Sequence, residues 1–300
     1  MTAQMNFETA SQLFDTEVTF RYQNYERFKG TVTERHGTTG DATNVPVSDI
    51  IEMSQGNFSP ANIPVTPVNE TNNQIVPIDF RVKTSIGGGE KTLYAYDKLV
   101  DHAKIHAAAA GRNLDYVRLQ AIFNSTTLSQ LTPFAIPATV GVNTGMNSAK
   151  LAAALSQMEN NSVNVDDYKV ACWLPAITKQ AMLADQQVTN IFYNDYKPLT
   201  SNKITAYLGT DVRFVGSVGN NKIPIQSGSG TSMSPYLYYG AIVQEDAIVQ
   251  IFNREVQTSI TWVPQEDRWE LLTVVTTGAK LIQNNGVVLV GIQAPFAANA

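Results

Sequence analysis

The pattern that most constrains the fold is an uninterrupted helical repeat that starts near Asp97. Its apolar residues recur at steps of three and four, the spacing of one helix face: Leu99, Ala103, Ala107, Ala110, Leu114, Val117 and Ala121. The repeat predicts a helix over 97–126, about 45 Å long, with Asp97 as its N-cap. Soluble helices average about 11–12 residues, so a helix this long indicates a structural spine. Its inner face is mostly alanine, which lets another layer approach closely, and Gly111 is expected to bend it.

Large apolar side chains crowd the N-terminal stretch 7–28, and their spacing predicts a short helix that passes into an extended arm. The stretch is too short to have a core of its own. It must therefore pack on the main body of the same chain or on a neighbouring subunit, and the sequence leaves both open. The side chains concerned are Phe7, Leu13, Phe14, Val18, Phe20, Tyr22, Tyr25 and Phe28.

Residues 38–86 are predicted to form a long two-stranded excursion. The first strand follows a turn that contains Gly37 and Gly40, and Pro46 marks it as an edge strand because proline cannot donate to a ladder. The second strand, in 75–86, alternates apolar and polar residues and should be half exposed. An isolated two-stranded ribbon is marginally stable in water, so this one needs a partner surface.

The remainder mixes helices and strands without a regular βαβ alternation, which predicts an α+β fold. Helices are expected at 147–161, with Ser148 as a cap, and at 176–192, and a buried strand at 168–175. Further strands are expected in the segments 205–218, 235–253, 255–263, 268–282 and 286–294.

Charge and composition exclude several functions. The net charge is −5, and no Lys/Arg cluster is long enough to neutralise several phosphates, so direct nucleic-acid binding is not predicted. Charged residues make up 16% of the chain, against about 25% in a typical soluble protein, so much of the surface must be neutral polar or apolar. Such a surface suits packing against other protein, but an enzyme with a neutral polar surface would have the same composition. Cys172, the one cysteine, lies in an apolar run and is predicted to be a small buried hydrophobe. No signal peptide or membrane-spanning run is recognisable.

Motifs that resemble catalytic sites lack residues that the chemistry needs. In "SIGGGEKT", Glu90 stands where a phosphate-binding loop needs glycine before the lysine. "SGSGTS" lacks the preceding strand and following helix of a nucleophile elbow. His102 and His106 lie one helical turn apart, but Ala103 stands where a zinc protease needs glutamate, so they are interpreted as two solvated histidines on a helix face.

Two stretches carry a resemblance to the major capsid proteins of tailed bacteriophages, which have the HK97-like fold. The first, "FKGTVTERHGTTGDATNVPV", is similar to a "GTV–R–G–GD–F–P" run of the podovirus-type branch. The second is the C-terminal "VQTSITWVPQEDRWELLTVVTTGAKLIQNNGVVLVGIQA", which resembles the closing strand pair of that fold. The order of elements is similar over nearly the whole chain.

The resemblance implies a structural shell protein without enzymatic activity or cofactor. Its copies would form pentamers and hexamers of an icosahedral capsid that encloses double-stranded DNA without sequence-specific binding. Assembly would take place in the host cytoplasm, without a membrane, and with scaffolding, portal and decoration proteins as further candidate partners. The implied division of the chain is an N-terminal arm (1–35), an extended loop and hinge (36–95), a peripheral domain with the spine helix (96–154), an axial domain (155–252) and C-terminal strands that return to the peripheral domain (253–300).

The arm and the loop would lie over neighbouring subunits. The turn that carries Arg35, His36 and Asp41 would then start a clasp whose charges pair across subunits rather than perform chemistry. The inter-subunit contacts expected on this basis are Phe20, Tyr22, Tyr25, Phe28, Arg35, Asp41, Phe58, Arg81 and Lys83.

Two alternatives remain open at this point. An encapsulin-like shell protein would share the fold and enclose cargo enzymes instead of a genome. An enzyme would need a site assembled from distant residues, such as a metal site at Asp101, His102 and His106.

Overall fold

The spine helix is the central element of the computed structural model, which describes residues 7–48, 70–141, 144–167, 169–185, 204–216, 223–227 and 236–294. Helix α2 spans Gly88–Phe123, 36 residues, and follows strand β4 (Ile78–Gly87) without an intervening loop. The predicted start at Asp97 is therefore wrong. The helix ends at Phe123 because the Asn124 side chain accepts a hydrogen bond from the Thr127 amide and thereby begins α3 (Ser125–Leu131).

A four-stranded sheet, the spine sheet, packs against α2. It contains β1 (Thr33–His36), β4, β10 (Ile248–Val263) and β11 (Arg268–Leu281), in the order β1-β10-β11-β4. β1 pairs with β10 in parallel, and the other neighbours are antiparallel. The predicted alternation of β4 is confirmed from Phe80 onward, since Phe80, Val82 and Ile86 are more buried than the residues between them. Ile78, predicted on the same face, is 58% exposed.

The second sheet has six strands: β5 (Val170–Pro175), β6 (Ala206–Tyr207), β7 (Thr210–Val215), β8 (Ile225–Ser227), β9 (Tyr236–Gln244) and β12 (Val287–Ala294). Its order is β12-β9-β5-β7-β6, with β8 also paired to β9. Every residue of β5 is buried, as predicted for its continuous apolar run.

Helix α4 (Ser148–Asn160) covers one face of this sheet; its cap is Asn147 rather than Ser148. Of the helix predicted at 176–192, the described part contains a 3₁₀ turn followed by α5 (Lys179–Ala184), and residues 186–192 lie outside the described residues.

A two-stranded ribbon is formed by β2 (Thr43–Ser48) and β3 (Glu70–Ile75). The second strand predicted for the excursion, in 75–86, is instead β4, which pairs with β11 in the spine sheet, so the predicted pairing is wrong. β2 pairs only with β3 among the described strands, which fits the edge position indicated by Pro46. The residues between the two strands, 49–69, lie outside the described residues. At the base of the ribbon, Val45 and Ile75 pack on Val249 and Ile251 of β10, so the ribbon is attached to its own spine sheet.

One apolar core joins the two sheets. Phe28, which follows α1 (Phe7–Tyr25), contacts Trp173 of β5 with ring centroids 4.4 Å apart, and both side chains are fully buried. The same core takes side chains from α2, β9 and β12. The closing strands β11 and β12 lie in different sheets, β12 beside β9, and the proposed boundary at residue 252 falls inside β10. Residues 253–294 therefore serve both sheets.

Candidate assembly interface

The N-terminal arm is a helix that lies along the spine helix of its own chain. Phe14 meets the ring of His106 edge-on at 5.3 Å. Further along, the backbone of α1 at Tyr25 faces Gly111, and after α1 the amide of Arg27 donates to Asp115. These contacts advance in the same order along both helices, so α1 and α2 run in the same direction. The extended arm predicted beyond the short helix is wrong for the described residues, since α1 continues to Tyr25.

Gly111 allows the close approach of the two helices. A Cβ at this position would lie 2.8 Å from the Cβ of Tyr25 and 2.9 Å from the carbonyl oxygen of Tyr22. Contacts this short do not occur, so the glycine is needed for the packing of α1 on α2. On the arm side, Phe14 and Val18 are fully buried against Ala103 and other spine residues.

A buried polar anchor fixes the end of the arm. Arg118 on α2 is completely buried; its Nη2 lies 2.8 Å from Glu34 and its Nε donates to Gln250 at 2.6 Å. Asp115, one turn earlier, accepts hydrogen bonds from the amides of Arg27 and Phe28 at 2.9 and 3.2 Å. The anchor therefore ties the arm, β1 and β10 to the spine helix.

Glu26 lies beside this anchor with only 4% of its side chain exposed, and its Oε1 is 3.9 Å from Arg118 Nη2. Burial raises the pKa of Glu26 to about 7, and the charge of Arg118 opposes this shift without cancelling it. The folded chain consequently holds a proton on Glu26 at pH values where an exposed glutamate is ionised.

Glu26→Gln is expected to remove one component of the pH dependence of stability. The folded state binds more protons than the unfolded state between the ordinary pKa of 4.5 and about 7, so the Glu26 contribution is full below pH 4.5 and is lost as the pH rises through 7. His106 acts in the opposite direction, because burial lowers its pKa from 6.5 to about 4 and its contribution is lost as the pH falls through 4. His106 is the same in both proteins, so their difference isolates Glu26.

Urea unfolding of wild type and Glu26→Gln between pH 4.5 and 8.5 tests this. The free energy of unfolding of the variant minus that of the wild type should increase by on the order of 2 kcal/mol as the pH rises across that range. A difference that stays constant with pH would contradict the assignment.

The predicted contact residues of the arm fall into two groups. Phe20 is 77% exposed, so its side chain faces away from the spine. Tyr25 is 42% exposed, although its Cβ lies against Gly111. Tyr22 is half-buried against Leu114 and Phe252, and Phe28 is fully buried in the core of its own chain. Phe28 therefore cannot reach a neighbour, because its side chain joins the two sheets.

The predicted contact residues of the loop are exposed where the structure describes them. Arg35 and Asp41 lie on the surface at the two sides of the turn. Arg81 pairs with Asp79 at 2.9 Å and Lys83 with Glu270 at 2.7 Å, both within the chain and on the edge strand β4. Phe58 lies outside the described residues.

Sequence reasoning missed a set of exposed apolar side chains. Val76 and Ile78 lie at the corner between β3 and β4 and are 60% and 58% exposed. Gly278 backs this corner, since a Cβ there would lie 2.7 Å from the carbonyl oxygen of Val76. Phe134 and Ile105 are also exposed, at 69% and 54%. The apolar alternation of β4 had indicated a buried face, and only the tertiary structure shows where the strand leaves the core.

The two histidines of the spine do not form a solvated pair, and that interpretation is wrong. His106 is fully buried between α2 and the spine sheet, with Nδ1 2.8 Å from Thr273 Oγ1 and Nε2 2.8 Å from Thr84 Oγ1. The same Thr84 oxygen lies 2.8 Å from His102 Nδ1. The histidines thus belong to a hydrogen-bonded row that joins helix and sheet.

The described residues offer no support for the enzyme alternative. Asp101 is exposed and pairs with Lys104 at 2.9 Å, away from the histidine row. In the ranges that the structure covers, no group of three or more His, Cys, Asp or Glu side chains could hold a metal ion. Cys172 is fully buried, and burial raises the pKa of its thiol to about 12, so it is no nucleophile at neutral pH. Of the helices described, none has the length and apolar character to cross a membrane.

The fold as a whole is that of phage capsid subunits. The capsid of cyanophage Pam1 matches with a TM-score of 0.66 and 12% identity over 93% of both chains. The capsid of the Helicobacter pylori bacteriophage KHP30 matches with a TM-score of 0.66 and 12% identity over 88% of both chains. A virus-like particle from Pyrococcus furiosus matches with a TM-score of 0.57 and 9% identity over 93% of this chain and 98% of the other. The predicted α+β, HK97-like fold is confirmed.

A model of the phage capsid protein family matches residues 7–293, and the chain belongs to that family. It is a structural capsid protein of a bacteriophage, without enzymatic function, and its place is the virion capsid. A search of curated proteins gave no match.

Proposed function

We propose that this chain is the subunit that forms pentamers and hexamers of an icosahedral shell around double-stranded DNA, assembled in the host cytoplasm. The observation that carries the proposal is the family match over nearly the whole chain. A net charge of −5 and the absence of a basic run in the sequence support it, because such a subunit can enclose DNA without adhering to it.

The arm would contribute its outer face to the contact with a neighbour. Phe20 and Tyr25 expose aromatic rings there, and aromatic side chains are enriched at the centres of protein interfaces. The inner face of the same helix is already occupied by the spine of its own chain. The arm is thus held rigidly by one subunit and presents a fixed surface to the next.

The ribbon and the edge strand β4 would contribute the second contact. Arg35 and Asp41 stand at the start of the ribbon, Phe58 lies in the segment between its strands, and Arg81 and Lys83 line β4. Exposed ion pairs contribute little stability to a single chain, so Arg81 and Lys83 can exchange their present partners for those of a neighbour at small cost. We assign the second sheet, with α4, to the axial domain that meets its symmetry mates.

Electron microscopy of the purified chain tests the proposal. Closed particles with five- and six-fold clusters of subunits are expected, and particles from infected cells should contain DNA. A chain that sediments only as a monomer at all accessible concentrations would contradict the proposed function. Particles that contain a co-purifying cargo protein in place of DNA would favour the encapsulin-like alternative.

Phe20→Ala is expected to weaken assembly and leave the subunit folded. The side chain is 77% exposed, so its loss should change the free energy of unfolding by less than about 0.5 kcal/mol. Loss of an aromatic anchor from an interface costs about 2 kcal/mol or more, which should raise the concentration required for assembly about thirtyfold or more. Light scattering against concentration measures this, with the neighbouring exposed Thr19→Ala as the control. Equal curves for Phe20→Ala and wild type would remove Phe20 from the interface.

A further inference from the structure

A cavity of about 310 Å³ opens where the end of α1, strand β1 and strand β10 meet. Strand β10 is irregular here, with register shifts on either side of Arg254. We call it the acid cavity, since three of its lining residues are glutamates: Glu26, Glu34 and Glu255. Its volume is about ten times the share of one water molecule in the liquid, enough for a long side chain.

The charges around the acid cavity do not balance. Arg118 stands behind it and is shared among Glu34, Asp115 and Glu26. Lys29 and His36 are the basic side chains among the lining residues. Glu255 contacts His36 Nδ1 at 3.0 Å, and the His36 ring is stacked on Phe252 at 4.8 Å. Four carboxyl groups, of which Glu26 holds a proton below pH 7, thus face two permanent cations and one histidine.

Glu26 is the residue of the cavity that lacks a donor. In the described part of the chain no hydrogen bond reaches its carboxylate, and the Arg118 contact at 3.9 Å is too long for one. A buried carboxylate without a donor is strongly unfavourable. The raised pKa of Glu26 expresses the same imbalance. A cation that entered the cavity would satisfy both the geometry and the charge.

We propose that the acid cavity receives an arginine or lysine side chain of a second copy of this chain. The inference rests on the proposed function, since only a shell brings copies into permanent contact. A metal ion is not the occupant, because the described residues contain no group suited to hold one. The segment 49–69 is not the occupant either, because its sequence contains no lysine or arginine. The exposed Arg35 and Arg112 have no carboxylate within ion-pair distance among the described residues and are candidate donors.

The double variant Glu26→Gln/Glu255→Gln tests the proposal. It keeps the shape of the cavity, and Arg118 retains Glu34 and Asp115 as partners. At pH 8 the subunit should unfold at the same temperature as the wild type or higher. The concentration required for assembly should rise at least about tenfold, as for the loss of one close charge pair at an interface. The matched control, Glu159→Gln/Asp166→Asn, removes two exposed carboxylates elsewhere and should assemble normally.

A folded double variant that assembles at the wild-type concentration would overturn the proposal and leave the proposed function intact. A second measurement does not require shells. Ethylguanidinium chloride at millimolar concentration should raise the unfolding temperature of the unassembled wild type, relative to tetramethylammonium chloride at the same ionic strength. The double variant should lose this response, and an equal response of both proteins would overturn the proposal.

Discussion

Arg118→Leu is expected to reduce the free energy of unfolding by about 3–5 kcal/mol, the cost of removing one partner from a buried ion pair. Arg118 is completely buried and is the cation shared by Asp115, Glu34 and Glu26. Without it, the fully buried Asp115 carboxylate would lose its counter-charge while still holding the amides of Arg27 and Phe28. The end of the arm should therefore come away from the spine before the sheets separate.

Urea unfolding followed by circular dichroism measures the loss, with the exposed Arg112→Leu on the same helix as the control. The control should stay within about 0.5 kcal/mol of the wild type. Arg118→Lys should recover little, because an ammonium cannot bond Gln250, Glu34 and Asp115 together as the planar guanidinium does. A loss below about 1 kcal/mol for Arg118→Leu would show that the anchor is dispensable.

Phe28→Ala is expected to reduce the free energy of unfolding by about 3–5 kcal/mol, the usual cost of deleting a buried aromatic ring. Phe28 is fully buried and packs on Trp173 in the core that joins the two sheets. The cavity left behind would face both sheets, so they should loosen together in a single unfolding transition.

Phe20→Ala is the matched control for Phe28→Ala, since both remove a phenylalanine from the same short stretch. Thermal unfolding should separate them clearly, with a large loss for Phe28 and almost none for the exposed Phe20. Assembly should then be compared for the folded fraction of each protein. It should be weakened by Phe20→Ala, the variant that hardly changes stability. Similar stability losses in the two variants would contradict the division of the arm into an inner and an outer face.

The spine helix and the alternation of β4 were predictable because their periods extend over many residues. The alanines at 103, 107 and 110 are buried as the helical repeat requires. The same repeat also contained a signal that was not used. His106 lies three residues after Ala103 and Arg118 lies four after Leu114, so both polar side chains stand on the apolar stripe. Their burial, and hence the anchor, could have been predicted from that position.

Other features could not be predicted, because they depend on contacts between distant parts of the chain. Phe20 and Phe28 are equivalent in a pattern of apolar residues, and only the position of Trp173 in the folded chain distinguishes them. Helix α2 starts at Gly88 although Gly88 and Gly89 both have low helix propensity. The closing strand β12 reaches the second sheet through pairing with β9, about fifty residues earlier.

The direct passage of β4 into α2 at Gly87 has a mechanical consequence. With no linker between strand and helix, and with β4 bonded along its length to β11, a force on the ribbon cannot be absorbed at the junction. We therefore expect such a force to rotate α2 together with the attached helix α1. Tension applied to the ribbon would then be transmitted to the N-terminal arm.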